Sequence, residues 1–182
     1  APLPIGEGQT ISQPYIVAFM IEAAELKPGD NVLEVGAGSG YAAAVMSRLA
    51  GRVHAVERHR SLAEEAAGLL GRLGYGNVEI HVGDGTLGLP RAAPFDAILV
   101  AASGPSIPAA LQEQLAIGGR LVVPVGTGDI QRLMRVRRRS ATDFDREEMV
   151  AVRFVPLVGA QGWKSGSDNA DEPSESAITE GA

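Results

Sequence analysis

The residues best suited to chemistry stand in three short runs, each closing an apolar stretch. The first is Val32 to Tyr41, VLEVGAGSGY, where Gly36, Gly38 and Gly40 follow a strand-like run and lead into a helix-like one. Glycines at such a junction let the backbone turn tightly and approach a ligand without Cβ interference. The exposed N–H groups and positive end of the following helix suit an anionic group. A glycine loop alone is a weak signal, because nucleotide sites use one too. Two details narrow it. The dinucleotide fingerprint asks for a further glycine where this chain has Tyr41. No Gly-Lys pair occurs anywhere in the chain, which excludes a Walker-type phosphate loop. What fits better is a loop wrapped around a zwitterionic amino-acid moiety bearing a sulfonium. Glu34, inside the strand just ahead of the glycines, then has two readings. Either it adds negative potential at the loop, directly or through water, or it caps loop N–H groups as a structural acid.

The second run is VHAVERH, with Glu57 lying 17 residues beyond Gly40. A carboxylate at that strand end can accept hydrogen bonds from both hydroxyls of a ribose. The bland alternative is a surface acid, and the spacing favours the ligand. The third run is Val82-Gly83-Asp84-Gly85. There Asp84 either reaches an adenine amino group or serves as an ordinary turn aspartate. Three such features at three successive strand ends make one crevice.

The elements that must position them alternate along the chain. Strands are expected at Asn31 to Val35, Arg52 to Glu57, Asn77 to Val82, Phe95 to Ala101 and Arg120 to Val125. Helices are expected at Tyr41 to Ala50, Ser61 to Leu73 and Ile107 to Leu115. Ser61 reads as an N-cap with Glu64 as its capping-box partner. Near-continuous apolar strands separated by helices predict a doubly wound, Rossmann-like α/β fold with a mostly parallel sheet. Leu133 to Arg139 and Met149 to Val155 read as two further strands joined by the polar stretch Ser140 to Glu148, an antiparallel hairpin closing the sheet.

Composition sets the outer bounds. A length of 182 residues suits one domain, placed at residues 1–160, and hydrophobic residues at 45% suit a globular chain. No apolar run is long enough to cross a bilayer, and no signal-peptide pattern opens the chain. With no cysteine, disulfides, thiolate catalysis and thiolate metal sites are excluded, and a reducing cytosol is the simplest setting. Five of the 22 acids fall between Ser165 and Ala182, so residues 161–182 read as an acidic, disordered tail or linker. The remaining body is almost neutral and offers no field strong enough to argue for nucleic acid as a partner. His54, His59 and His81 lack a metal-ligand spacing and read as strand and loop histidines, so no metal is expected. Arg132, Arg135 and Arg137 to Arg139 read as charges that discourage edge pairing. Trp163 is expected to pack against the body.

With these residues in hand, the chain resembles the protein-L-isoaspartate O-methyltransferases from Pro4 to about Gly159. The most specific match is Pro4 to Pro14, PIGEGQTISQP, followed in order by VLEVGAGSGY, VGDG, PFDAILV, GGRLVVPVG and FVPLV. The resemblance implies S-adenosylmethionine as cofactor, S-adenosylhomocysteine as product and no metal. The implied substrates are isoaspartyl proteins or peptides, with neither membrane nor nucleic acid as partner, and a monomeric cytoplasmic enzyme is expected.

Carried over, Gly36, Gly38 and Ser39 bind the methionine part of the cofactor, with Glu34 beside them. Glu57 holds the ribose, with Arg58 next to it, and Asp84 with Gly85 holds the adenine. Thr10, Ile11 and Ser12 border the point of methyl transfer, and Ser12 is the family's active-site residue. From sequence alone Ser12 reads as a helix N-cap before Gln13-Pro14, a role compatible with catalysis. The family carries a helical segment ahead of this loop, whereas this chain opens at Ala1-Pro2-Leu3-Pro4 without a methionine, as a processed or excised piece would. Two other readings share these residues: methylation of a normal aspartate in one dedicated peptide, and a module that binds the cofactor without turnover.

Overall fold

A computed structural model describes residues 3–166. The acidic tail therefore lies almost entirely outside the described residues. A small antiparallel hairpin opens the fold, pairing β1 (Leu3–Gly6) with β2 (Gln9–Ile11). Helix α1 (Pro14–Ala24) follows, and then β3 (Asn31–Val35), α2 (Tyr41–Ser47), β4 (Arg52–Glu57), α3 (Arg60–Arg72) and β5 (Val78–Val82) alternate. After two short 3-10 turns come β6 (Phe95–Val100), α4 (Ala109–Glu113), β7 (Leu115–Val125), β8 (Gln131–Arg138) and β9 (Phe144–Val152).

The main sheet has seven strands in the order β5-β4-β3-β6-β7-β8-β9. From β5 to β7 neighbours are parallel, and β8 and β9 add antiparallel to β7. Successive residues of a strand point to opposite faces, so an apolar run with two covered faces feeds two cores. Val32, Val53, Ala55, Ala97, Leu99 and Val122 pack with α1 and α2 on one side. Leu33, Val35, Val56, Ile98, Val100 and Leu121 pack with Leu111 of α4 on the other. Phe95, Leu33 and Leu121 are wholly buried, each worth about 1.5–3 kcal/mol relative to exposure.

Several local expectations are corrected. Ser61 does not cap α3; the cap position is His59, and the Ser61 hydroxyl donates 2.8 Å to Glu7 Oε1, tying the hairpin to the helix. Ser12 likewise stands one residue ahead of the cap position, which Gln13 occupies without a side-chain bond, and Pro14 opens α1. Helix α4 is shorter than expected at both ends, since Pro108 holds the cap position and Leu115 already pairs with Phe95 in the sheet. Strand β9 begins at Phe144, inside the stretch read as a connection. Its charged residues meet arginines on β8 and just beyond it: Glu147 accepts from Arg135 at 2.6 Å, and Asp145 pairs with Arg139. Those arginines protect no edge, since β8 lies between β7 and β9. The chain also stays in contact with the body past residue 160. Val158 bridges to Trp163, whose indole N–H donates 2.9 Å to the Ser103 carbonyl, so the chain packs against the body as far as Trp163.

Candidate active site

The carboxyl ends of β3, β4 and β6 open into a cleft of about 1070 Å³, including its mouth. The glycine loop builds its floor. Gly36, Gly38 and Gly40 have φ of 91°, 52° and 83°, a region that side chains strain to enter. The Gly36 and Ala37 N–H groups donate to Val56 O at 2.8 and 3.3 Å, locking the loop to β4. A Cβ on Gly38 would stand 3.0 Å from Ile5 Cδ1, so glycine leaves room for the hairpin side chain to rest on the loop.

Two buried carboxyls face this loop. Glu57 accepts from the Gly38 N–H at 3.0 Å through Oε2 and from the His59 N–H at 2.9 Å through Oε1. It is therefore held rigidly, with lone pairs remaining on both oxygens for ribose hydroxyls. Glu34 is 2% exposed, and its Oε2 has no hydrogen-bond partner among the described residues. Burial and the nearby charge of Glu57 push its carboxyl up to about 8. An orphaned acid beside a glycine loop demands a donor or a cation. The ammonium and sulfonium of S-adenosylmethionine fit that demand. The capping alternative for Glu34 finds no loop N–H bonded to its side chain among the described residues.

Thr10, Ile11 and Ser12 line the cleft from the hairpin side, together with Glu34, Gly36, Gly38, Ser39, Glu57, Arg58 and Gly85. The Ser12 hydroxyl makes no hydrogen bond within the described residues. Ten of the eleven residues anticipated from sequence thus share one cleft.

Asp84 is the exception. Its Oδ1 accepts from the Thr86 N–H and hydroxyl at 2.9 and 2.7 Å, and its Oδ2 accepts from the Ala160 N–H at 2.8 Å. Burial alone would raise its pKa, but these bonds and the Arg58 charge hold it below the usual carboxylate value. Its carboxylate therefore clamps the strap from Gly159 to Trp163 and does not line the cleft, whereas Gly85 beside it does.

Sequence reasoning missed part of the wall. Ile5 and Gln9 of the hairpin, Val17, Met20 and Ile21 of α1, and Val155 to Val158 also line the cleft. The FVPLV run was visible as a matching motif, but nothing in its residue types signals a wall, because apolar residues there look like any core.

The sequence profile of the family described as protein-L-isoaspartate (D-aspartate) O-methyltransferase matches residues 1–162. A protein-L-isoaspartate O-methyltransferase from Roseiflexus castenholzii is 62% identical over 161 residues, covering 88% of this chain and 73% of that protein. Another, from Rhodopseudomonas palustris strain HaA2, is 58% identical over 166 residues, covering 91% and 68%. Among solved structures, a protein-L-isoaspartate O-methyltransferase superposes with a TM-score of 0.81 at 34% identity, and the alignment covers 88% of this chain but only 52% of that one. A Plasmodium falciparum structure in complex with S-adenosyl-L-homocysteine gives a TM-score of 0.75 at 27% identity, covering 86% and 79%. By fold, by site and by these matches, the chain belongs to the protein-L-isoaspartate O-methyltransferase family.

Proposed function

We propose that this chain transfers a methyl group from S-adenosylmethionine to the α-carboxylate of L-isoaspartyl residues in proteins or peptides, the first step of their repair. The observation that carries this reading is the shared cleft. An unpartnered buried Glu34, a rigid Glu57 and an uncommitted Ser12 hydroxyl all line it. When bound, the cofactor supplies a sulfonium-activated methyl, which a carboxylate oxygen takes in line to give a methyl ester and a neutral thioether.

The chain's own residues act by placement. Glu57 receives the ribose hydroxyls, while Gly36, Gly38 and Ser39 wrap the amino-acid end beside Glu34. Arg58 and Gly85 border the adenine end, and Asp84 supports it through the strap. Thr10, Ile11 and Ser12 frame the transfer point, where Ser12 orients the substrate carboxylate by donating a hydrogen bond. No general base is required, because a carboxylate is ionised at neutral pH. Alignment and exclusion of water then lower the barrier by several kcal/mol, up to roughly 7–11 in the best intramolecular models. The apolar wall of Val155 to Val158 suits the exclusion of water. The same reading takes the enzyme as a cytoplasmic monomer that needs neither nucleic acid nor membrane. Among the described residues no helix is long and apolar enough to cross a membrane.

The test uses labelled S-adenosylmethionine and two peptides that differ only in Asp or isoAsp at one position. Base-labile label on the isoAsp peptide alone, lost or strongly reduced in Ser12→Ala, is the expected result. Label on the Asp peptide instead would reassign the substrate. Label on neither, with cofactor binding intact, would overturn turnover by this chain.

A further inference from the structure

Linear spacing separates His54 from His81, but strand pairing does not. Strands β4 and β5 run parallel with His54 opposite Glu79 in register, and His81 lies two residues further along the same face. His54 Nδ1 and His81 Nε2 are 3.1 Å apart. Glu79 closes the triangle, with Oε2 3.8 Å from His54 Nδ1 and Oε1 3.7 Å from His81 Nε2. The imidazoles are 10% and 9% exposed, whereas Glu79 is 49% exposed, so two buried nitrogens meet one half-exposed carboxylate. None of the three lines the methyl-transfer cleft.

We propose that His54, Glu79 and His81 form a binding site for one divalent transition-metal ion of the zinc class, with water completing the coordination. Zinc–nitrogen bonds of about 2.0–2.1 Å in a tetrahedron hold ligand atoms roughly 3.3–3.4 Å apart. The observed triangle brackets that spacing, so sub-ångström side-chain shifts close it around an ion. Two imidazoles and a carboxylate select zinc, cobalt or nickel over magnesium or calcium, which prefer all-oxygen sites. The ion would staple the edge strand β5 to β4, just ahead of the Gly83 to Gly85 loop that borders the cleft.

Two neighbouring cations shape the site. Arg52 NH2 donates 3.1 Å to Glu79 Oε2, and a carboxylate can keep that bond while Oε1 binds the ion. Arg91 NH2 lies 2.9 Å from His81 Nδ1. Arginine only donates, so Nδ1 accepts and the His81 ring proton sits on Nε2, shared with His54 Nδ1. Metal binding moves that proton to Nδ1, and Arg91 must then swing away. Arg91 is a built-in competitor of the ion.

Zinc chloride titrated calorimetrically into the tag-free full chain should bind one ion per chain. Cobalt at the same site should give the intense visible bands of four-coordinate geometry. His81→Ala and Glu79→Gln should each weaken binding by more than about tenfold, and Arg91→Ala should tighten it. Glu79→Gln alters a half-exposed side chain and keeps the test intact should His81→Ala fold poorly. Absence of one-to-one binding in the parent chain, unchanged affinity in Glu79→Gln, or an Arg91→Ala chain that binds no tighter would each overturn the assignment.

Discussion

Glu34 is the residue on which affinity and stability pull in opposite directions. Its native carboxyl titrates near 8, against 4.5 for the ordinary group, because it is buried beside Glu57. A raised native pKa means that the unfolded chain releases the proton first as pH rises. The contribution is intact below 4.5 and is lost progressively up to about 8. The loss runs at roughly 1.4 kcal/mol per pH unit within that window. Glu34→Gln mimics the neutral acid and removes this slope. Denaturation of the cofactor-free protein between these limits should show a variant increasingly more stable than the parent as pH rises. Cofactor binding by the same variant should weaken by roughly 10–100-fold, the worth of a hydrogen bond to a charged group. A variant that binds as tightly as the parent would remove Glu34 from the site.

At the scale of elements, α1 depends on a residue 96 positions away. Its last turn bends into a left-handed Glu25 (φ 51°), leaving carbonyls that a helix end must satisfy elsewhere. Arg120, on β7, donates to Ala24 O and Glu25 O at 2.7 Å each and to Asp30 Oδ2 at 2.9 Å. Its side chain is 6% exposed, and that of Asp30 is 12%. Removing one member of a buried, hydrogen-bonded charge pair costs about 3–5 kcal/mol. Arg120→Met should lower stability by that order in urea titrations. Arg120→Lys should recover little of it, because an ammonium cannot match the planar fork. Since α1 supplies Val17, Met20 and Ile21 to the cleft, both variants should also bind cofactor less well.

Over the whole molecule, the strap beyond β9 joins distant parts of the sheet. Asp84 after β5, Ser103 after β6 and the start of α4 all hold it, the last through the Ala110 N–H donating 3.0 Å to Gln161 Oε1. Trp163 is the one tryptophan of the chain, so its fluorescence reports the strap directly. The Asp84 pKa is lowered in the folded protein, so its contribution is present above the ordinary value of 3.8 and is lost as pH falls through the native one. Emission from Trp163 should therefore stay constant on acidification until below 3.8. In Asp84→Asn it should shift to the red already at neutral pH, with stability reduced by about 1–3 kcal/mol. An unshifted spectrum would detach Asp84 from the strap.

What the residues determined by themselves was the parallel order of elements and ten members of the cleft. Both are local properties: near-continuous apolar runs with two covered faces, glycines where φ turns positive, and acids at strand ends. What only the tertiary structure decided depends on which distant groups meet. Asp84 read as an adenine acceptor, with a turn aspartate as the alternative, and no local pattern signalled that Ala160 brings an N–H to it across the fold. Ser61 had the pattern of a cap, yet Glu7 reached its hydroxyl first. The charged start of β9 hid its strand, because its partners are arginines on β8 and not the core. The three histidines show no ligand spacing along the chain, and His54 meets Glu79 and His81 only because β4 and β5 pair in one register, which is set by the cores on both faces of the sheet.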